Sequence, residues 1–383
     1  MPSKTQIDRE DKKSSVPMSN TNSSAFTKGH KVVVFGASGH TGRFVVAELA
    51  RRGMMAILAG RDPEKLLAVG KTHPAFEMRV ASVDDPVSLE QALQGASLVI
   101  NCAGPFLDTA APIMEAALRA RIHYLDVTAE QRVALAAFEK FSDAARTAGV
   151  LIMPSVAFYG ALGDLLATAA MRNWSGADEI QIAVALDSWK PTQGTRLTGQ
   201  RNPGRRLVFS NNRLSLLEDP PPKLEWALPP PFGKQEVIAL PLTETVIISR
   251  HLRVPEIHAY MNLAPLADLH KPTTPGPMPA DERGRSAQEF LMEVKVRRGE
   301  EECRAIAAGR DIYAITAPIV VEAAARILAG DIRVTGTVAP GEIFDAEAFL
   351  RALSPEHISL ELTESAVPGV LSAIRETISD SGE

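Results

Sequence analysis

Three glycines at the spacing Gly36-x-x-Gly39-x-x-Gly42 lie between a β-branched run, Lys31-Val-Val-Val-Phe35, and a stretch of helical periodicity, Arg43 to Arg52. Glycine at these positions lets the chain turn tightly and lets a pyrophosphate approach the backbone. The helix behind the turn then presents free N–H groups and the positive end of its dipole. A glycine pattern alone is a weak signal; its weight comes from the buried strand before it and the helix after it. The expectation is a dinucleotide site formed by Gly36, Ser38, Gly39, His40, Thr41 and Gly42. The competing reading is a tight turn that binds nothing.

The end of the next apolar run chooses the dinucleotide. A cofactor without a 2′-phosphate is usually held there by an acidic residue on the ribose hydroxyls. This chain has Gly60-Arg61, with Lys65 one turn into the following helix. A guanidinium suits a phosphate dianion and can stack on adenine, so NADP(H) is expected rather than NAD. Asp62 reads as a helix cap. Asp84 is suited either to the adenine edge or to capping the helix after Pro86. Cys102, Ala103, Gly104 and Pro105 end a further strand where the backbone should pass close to the nicotinamide ribose. No neighbouring base marks Cys102 as a nucleophile.

Hydride transfer needs an acceptor held over the nicotinamide and often a proton donor. Tyr159 could give that proton or line the site; a core or rim role is the alternative. Glu130 and Asp126 could orient the nicotinamide end, although Glu130 also reads as a first-turn helix charge. Tyr313 reads as packing. Four arginines fall between Thr195 and Arg206, and Arg196 and Arg201 are the candidates for clamping a carboxylate or phosphate of the substrate. A solvated hairpin is the plain alternative for that segment. His251, His258 and His270 have no metal-ligand spacing, and no metal is expected.

The elements that must carry these residues alternate strand and helix from Lys31 to Met153. Strands are expected over 54–59, 76–83, 97–102, 123–127 and 150–153, with helices from Pro63, after Pro86, over 109–120 and over 129–148. That alternation predicts an α/β, Rossmann-type doubly wound parallel sheet with ligands beyond the carboxyl ends of its strands. After Ser155, short runs at 180–186, 206–209, 237–240, 245–248 and 290–296, and a hairpin through Arg298-Gly299, predict a second α+β domain with a mostly antiparallel sheet. Helices are expected over 314–328 and 344–353.

Composition bounds the rest. The 383 residues carry 41 Lys+Arg against 46 Asp+Glu and are 45% hydrophobic, which argues against wholesale disorder and a membrane-spanning class. A net charge of −5 gives no general attraction to nucleic acid or anionic membrane. Two cysteines form no disulfide framework, so a reducing, cytoplasmic setting is expected. Residues 1–28 are polar and should form a disordered tail. The domains expected after it are the NADP-binding unit over 29–155, a substrate or dimerisation domain over 156–310, and a helical segment over 311–383 packing back near the first. A homodimer is compatible with this plan.

The runs GASGHTGRFV, AGRDPEKL, VINCAGPF, YLDVTAE and AFYGALGDLL together resemble the saccharopine dehydrogenase-like oxidoreductases. The likeness covers Lys31 to Asp164 and returns over Gly309 to Leu328. It implies an N-terminal NAD(P)-binding domain with an inserted substrate domain, in a family that includes amino-acid-forming reductases and trans-acting enoyl reductases. Members often carry Asp-x-Thr-Gly-Glu and Phe-Asp-Ser-x-Pro-x-Asp. This chain has Asp126-Val-Thr128-Ala129-Glu130 and Phe158-Tyr159-Gly160 through Asp164, departing where nicotinamide and substrate should meet. The expected function is an NADP(H)-dependent oxidoreductase reducing a C=C or C=N bond of a small or carrier-bound metabolite. The alternatives are a saccharopine-type dehydrogenase acting on a secondary amine and an NADP-binding sensor without turnover.

Overall fold

The computed structural model describes residues 29–202, 204–330 and 333–363. The tail expected over 1–28 and the end of the carboxyl-terminal segment lie outside them.

The first half alternates as the hydrophobic pattern requires. Its elements are β1 (Lys31–Phe35), α1 (His40–Arg51), β2 (Met55–Gly60), α2 (Pro63–Thr72), β3 (Glu77–Val80), α3 (Pro86–Leu93), β4 (Leu98–Asn101), α4 (Phe106–Ala120), β5 (His123–Asp126), α5 (Gln131–Ala136), α6 (Ser142–Ala148) and β6 (Leu151–Met153). There follow α7 (Gly163–Met171), β7 (Glu179–Leu186), α8 (Gln193–Arg201), β8 (Leu207–Ser210), β9 (Arg213–Leu216), β10 (Lys223–Ala227), β11 (Lys234–Ala239), α9 (Thr243–Ile248), β12 (Glu256–Asn262), α10 (Leu263–His270), β13 (Glu289–Arg298) and β14 (Glu301–Arg310). The last described elements are α11 (Thr316–Leu328), β15 (Gly336–Thr337), α12 (Pro340–Ile343), α13 (Ala346–Leu353) and β16 (Ile358–Thr363).

Seven parallel strands form one sheet in the order β15-β6-β5-β4-β1-β2-β3. The order reverses between β1 and β4, and the crevice above that reversal is where open α/β sheets bind ligands. The second sheet runs β10-β11-β12-β7-β13-β14-β16, with β8 attached to β12 and β9 paired to β8. It is antiparallel except where β12 lies along β7. Helices α1, α7, α11 and α13 fill the space between the sheets in one continuous core that includes Val32, Leu49, Leu166, Val294 and Val320. Each fully buried aliphatic side chain there contributes roughly 1.5–3 kcal/mol. On the far face of the first sheet, α3, α4 and α6 cover a separate core around Val33, Val99 and Tyr124.

Four stretches depart from expectation, each for a tertiary reason. Thr245–Ile248 belongs to helix α9, not to a strand; all six α9 residues are buried, so no amphipathic period distinguishes helix from strand. The segment from Thr195, read as a substrate-clamping loop or a solvated hairpin, is helix α8, begun where the Thr192 hydroxyl accepts a hydrogen bond from Thr195 N at 3.0 Å. The long helix expected over 129–148 runs over 131–148 and widens by one turn at Ala137–Phe141, where the Thr337 hydroxyl donates to the Ala137 carbonyl at 2.9 Å. The carboxyl-terminal segment is not helical throughout: β15 completes the first sheet and β16 the second.

Candidate functional site

The glycine turn joins β1 to α1 at the sheet's reversal point. Gly36 has φ +83°, which favours glycine, and a Cβ there would sit 2.9 Å from Ala103 N. A Cβ on Gly42 would come within 2.2 Å of the Gly36 carbonyl oxygen. The β1 and β4 turns are therefore in direct contact, and α1 starts hard against its own loop. Gly39 is the N-cap of α1 and supplies no side-chain cap. Its neighbours in the sheet differ: α2 is capped by Asp62, α3 by Asp85, and α4 by Glu130. Among these four helices, α1 alone has no side chain hydrogen-bonded to its first N–H groups. This fits a pyrophosphate cradle.

Around the cradle the other expected cofactor residues are distributed as follows. Arg61 is exposed at the end of β2 and forms no ion pair with another described residue. Lys65 is also exposed and pairs with Asp62 at 3.1 Å. Asp85 caps α3 through Val87 N and Ser88 N, because the cap must directly precede Pro86; this leaves the Asp84 carboxylate exposed at the end of β3. Cys102 N donates to Phe35 O, and Asn101 Oδ1 accepts from Ala103 N at 2.9 Å, fixing the turn through Gly104 and Pro105. Burial beside Asp126 pushes the Cys102 thiol far up, so it stays protonated and is no nucleophile.

Asp126 is fully buried, and both its oxygens are engaged. Oδ1 accepts from Thr128 N at 3.0 Å and Ser155 N at 2.8 Å, and Oδ2 accepts from the Tyr124 hydroxyl at 2.9 Å. Burial nevertheless pushes its carboxyl up to about 6. Glu130, also buried, accepts from Phe106 N at 2.8 Å and Leu107 N at 3.1 Å, so it caps α4 rather than serving the dipole of its own helix. Burial raises its carboxyl despite those bonds.

Tyr159 lies beyond β6, 9% exposed, with its ring stacked on Trp189 at 5.9 Å and edge-on to Phe158 at 4.8 Å. Its hydroxyl has no hydrogen-bond partner among the described residues, and burial holds its ionisation well above the usual range. Trp189 links this ring to the cofactor side: its Nε1 donates to the Tyr313 hydroxyl at 3.0 Å, and Tyr313 meets the His40 ring edge-on at 5.4 Å. His40 is half-buried, its Nε2 has no partner among the described residues, and burial lowers its basicity. Tyr313 also bonds the Thr195 hydroxyl at 2.9 Å and so anchors α8. Helix α8 lies across the β4 turn, with Thr198 against Gly104, and Arg201 joins Asp108 at 2.7 Å. Arg196 donates to the Thr274 carbonyl at 2.8 Å. Both arginines expected to meet substrate are therefore tied to protein groups.

Sequence reasoning did not single out Glu244, which lies within electrostatic reach of Tyr159, or Ser155, which packs against the neighbouring Gly160; both, like Thr245, are buried with a side-chain oxygen lacking a partner among the described residues. Arg206 stands beside them. It was visible only as one member of the arginine-rich segment and the start of the 206–209 run, and Glu244 stood just outside the run read as a strand over 245–248. Among the described residues no cluster of His, Cys, Asp and Glu could hold a metal, and no helix is long and apolar enough to cross a membrane.

Comparison with known proteins agrees with this geometry. Residues 32–153 match the family model of the saccharopine dehydrogenase NADP binding domain. A saccharopine dehydrogenase-like oxidoreductase of Rattus norvegicus is 31% identical over 153 residues, 35% of this chain and 36% of that protein. A trans-acting enoyl reductase of Mycobacterium ulcerans is 28% identical over 141 residues, 35% of this chain and 34% of that protein. The matched region thus spans about a third of these curated relatives. The apo saccharopine dehydrogenase (L-Glu forming) of Saccharomyces cerevisiae superposes with a TM-score of 0.62 over 88% of this chain and 100% of that one, at 10% identity, a likeness of fold alone.

Proposed function

We propose that the protein is an NADP(H)-dependent reductase of a C=C or C=N bond in a small or carrier-bound metabolite, a reading supported by the match of residues 32–153 to the saccharopine dehydrogenase NADP binding domain. When bound, NADPH supplies the hydride. The chain's own groups do the rest. The uncapped start of α1, with Gly36, Ser38, Gly39, His40, Thr41 and Gly42, holds the pyrophosphate. Arg61 and Lys65 hold the 2′-phosphate, and Asp84 meets the adenine edge. The backbone from Cys102 to Pro105, fixed by Asn101 Oδ1 on Ala103 N and by Cys102 N on Phe35 O, would meet the nicotinamide end, and Asp126 would order the neighbouring turns through the Ser155 and Thr128 amides.

Tyr159 holds the proton that the acceptor needs. It is protonated throughout the neutral range, and its hydroxyl is free of other partners among the described residues. Trp189 and α8 cover this end and exclude water. Glu130 keeps α4 in position under the β4 turn. A cytoplasmic setting remains part of the reading, and Cys102 and Cys303 are both free thiols.

The observation that carries the reading is the uncapped helix start at the sheet's reversal point, joined through Tyr313 and Trp189 to the buried Tyr159 hydroxyl. Fluorescence titration of NADPH and NADH against wild type and Arg61→Ala tests it. Loss of a charged hydrogen bond should weaken NADPH by roughly 1.5–3 kcal/mol and leave NADH unchanged. Equal effects on both nucleotides would remove Arg61 from the site, and a wild type that binds neither would end the proposal.

A further inference from the structure

We propose that Arg206, Tyr159 and Glu244 form a subsite for a carboxylate of the acceptor substrate, and that this carboxylate enters together with one proton taken up by Glu244. The inference rests on the reductase reading above and names the substrate class.

Three remote segments are locked together there. The Gln131 side chain donates to Leu207 O at 2.7 Å and Leu242 O at 3.0 Å, and accepts from Leu207 N at 2.8 Å. This tie sets Arg206, the residue before Leu207, near Glu244, two residues after Leu242. The Thr243 hydroxyl reaches Tyr159 O at 3.4 Å and brings in the turn after β6. That turn is close-packed and strained. Ser155 is a buried non-glycine residue at φ +61°, and Gly160, at φ +109°, has room for no Cβ because Ser155 O is 2.5 Å away from where it would be. Backbone held this way concentrates at sites that bind or react.

The free valences point to a ligand. Tyr159 Oη, Glu244 Oε2, Ser155 Oγ and Thr245 Oγ1 are all buried without a partner among the described residues. Buried polar atoms are normally satisfied, so the unpartnered Tyr159 and Glu244 oxygens, on side chains within electrostatic reach of each other and of Arg206, call for an explanation. The Arg206 guanidinium, partly buried, forms no hydrogen bond or ion pair with another described residue. A guanidinium fork with a neutral phenol beside it matches one carboxylate group. A phosphate dianion would want a second cation, and Arg196 and Arg201 are held elsewhere.

Glu244 determines the charge balance. Its Oε1 accepts from Leu242 N at 2.8 Å while Oε2 is free, and burial pushes the carboxyl up to about 7. Arg206 from β8 lowers it, though less than burial raises it, and Tyr159 faces it from the turn. The other elements packed on α9 carry the following charged groups, of which Arg132 alone has no ion pair with another described residue. On α7, Gly163 abuts Glu244, and Asp164 is bonded to His251 and Gly341 N at 2.6 Å each. On β12, His258 and Glu256 pair at 3.2 Å. On α5, Arg132 lies against Gly204. A carboxylate entering beside an ionised Glu244 would meet a like charge. Protonated, Glu244 instead offers an O–H donor from Oε2, so each anion bound in alkaline solution draws one proton from solvent.

The test is calorimetry of the NADP⁺-loaded protein with butyrate, butyramide and inorganic phosphate, repeated across pH in buffers of different ionisation enthalpy. Butyrate should bind and butyramide should not. Affinity should fall roughly tenfold for each pH unit above about 7, with one proton taken up per butyrate. Glu244→Gln should keep binding and lose the pH slope, and Arg206→Met should weaken butyrate at least about a hundredfold. Butyrate binding that ignores pH, that survives Arg206→Met, or that is outdone by phosphate would overturn the proposal, as would no binding at all. If the wild type takes up NADPH with its Arg61 preference and still rejects butyrate, only the subsite fails; if it takes up no nucleotide, the reductase reading fails first.

Discussion

Replacing Gly42 and Gly39 separately by alanine divides the glycine turn into its packing part and its binding part. A Cβ at Gly42 would lie 2.2 Å from Gly36 O, against a floor of 3.0 Å for real contacts, so something must move by about 0.8 Å. The obstacle is backbone, and Gly36 cannot retreat, because its N–H is bonded to Ala59 O at 2.8 Å and its other side touches Ala103. Overpacking of this kind costs about 3 kcal/mol, while exchanging glycine for alanine in a helix returns about 1 kcal/mol. The net loss of about 2 kcal/mol should lower the melting midpoint of a cooperative unit this large by roughly 3 °C. At Gly39 a Cβ meets only Gly36 O, at 3.2 Å, and its backbone is extended, so the fold should change by less than about 0.5 kcal/mol. That methyl nevertheless enters the cradle. Thermal melts with and without NADPH read both effects. Wild type should gain about 2.7 kcal/mol at a hundredfold excess over Kd. Gly42→Ala should melt early, and Gly39→Ala should melt like wild type without nucleotide yet lose most of the upshift. A Gly39→Ala protein with the full upshift would refute the placement of the pyrophosphate, and an unperturbed Gly42→Ala would refute the packing argument.

Two further outcomes follow from the same coordinates. Asp126 and Glu244 are raised by burial to about 6 and about 7, so the folded state holds more protons than the unfolded chain between about pH 4 and 7. Stability should therefore fall as pH rises through that window, by up to about 3 kcal/mol for each group, and urea titrations across pH should show it. A rise over the same interval would contradict both assignments. Separately, Asp85→Ala should cost about 1 kcal/mol through loss of the α3 cap, whereas Asp84→Ala should leave the melt unchanged; the reverse order in denaturant melts would show that the cap is misassigned.

What was legible in the sequence was local. The strand before Gly36, the spacing of the three glycines and the Asp62-Pro63 helix start act over a few residues, and each stands where the pattern put it. The cap on α4 was not legible, because Glu130 reaches Phe106 N from 24 positions away. Nor was α9, whose six buried residues give no period to read. The cluster at Tyr159 exists because Gln131 bonds groups 76 and 111 positions distant, and no local composition announces such a tie. Arg196 and Arg201 drew notice by their charge, yet the structure spends them on Thr274 and Asp108.

The position of β15 bears on how the chain can reach this state at all. The nucleotide-binding sheet gains its last strand by pairing Gly336 with Leu151, and α11 packs along α1, so its completion waits on residues translated after β7 to β14 of the second sheet. Contacts of such sequence separation close late and slowly. Until they close, the edge of β6 stays unpaired and part of the apolar surface of α1 stays open, a state prone to association. A fragment ending near residue 153 would remain in that state permanently. The unit that folds is accordingly larger than the unit that carries the nucleotide motif, and the two sheets mature as one cooperative object.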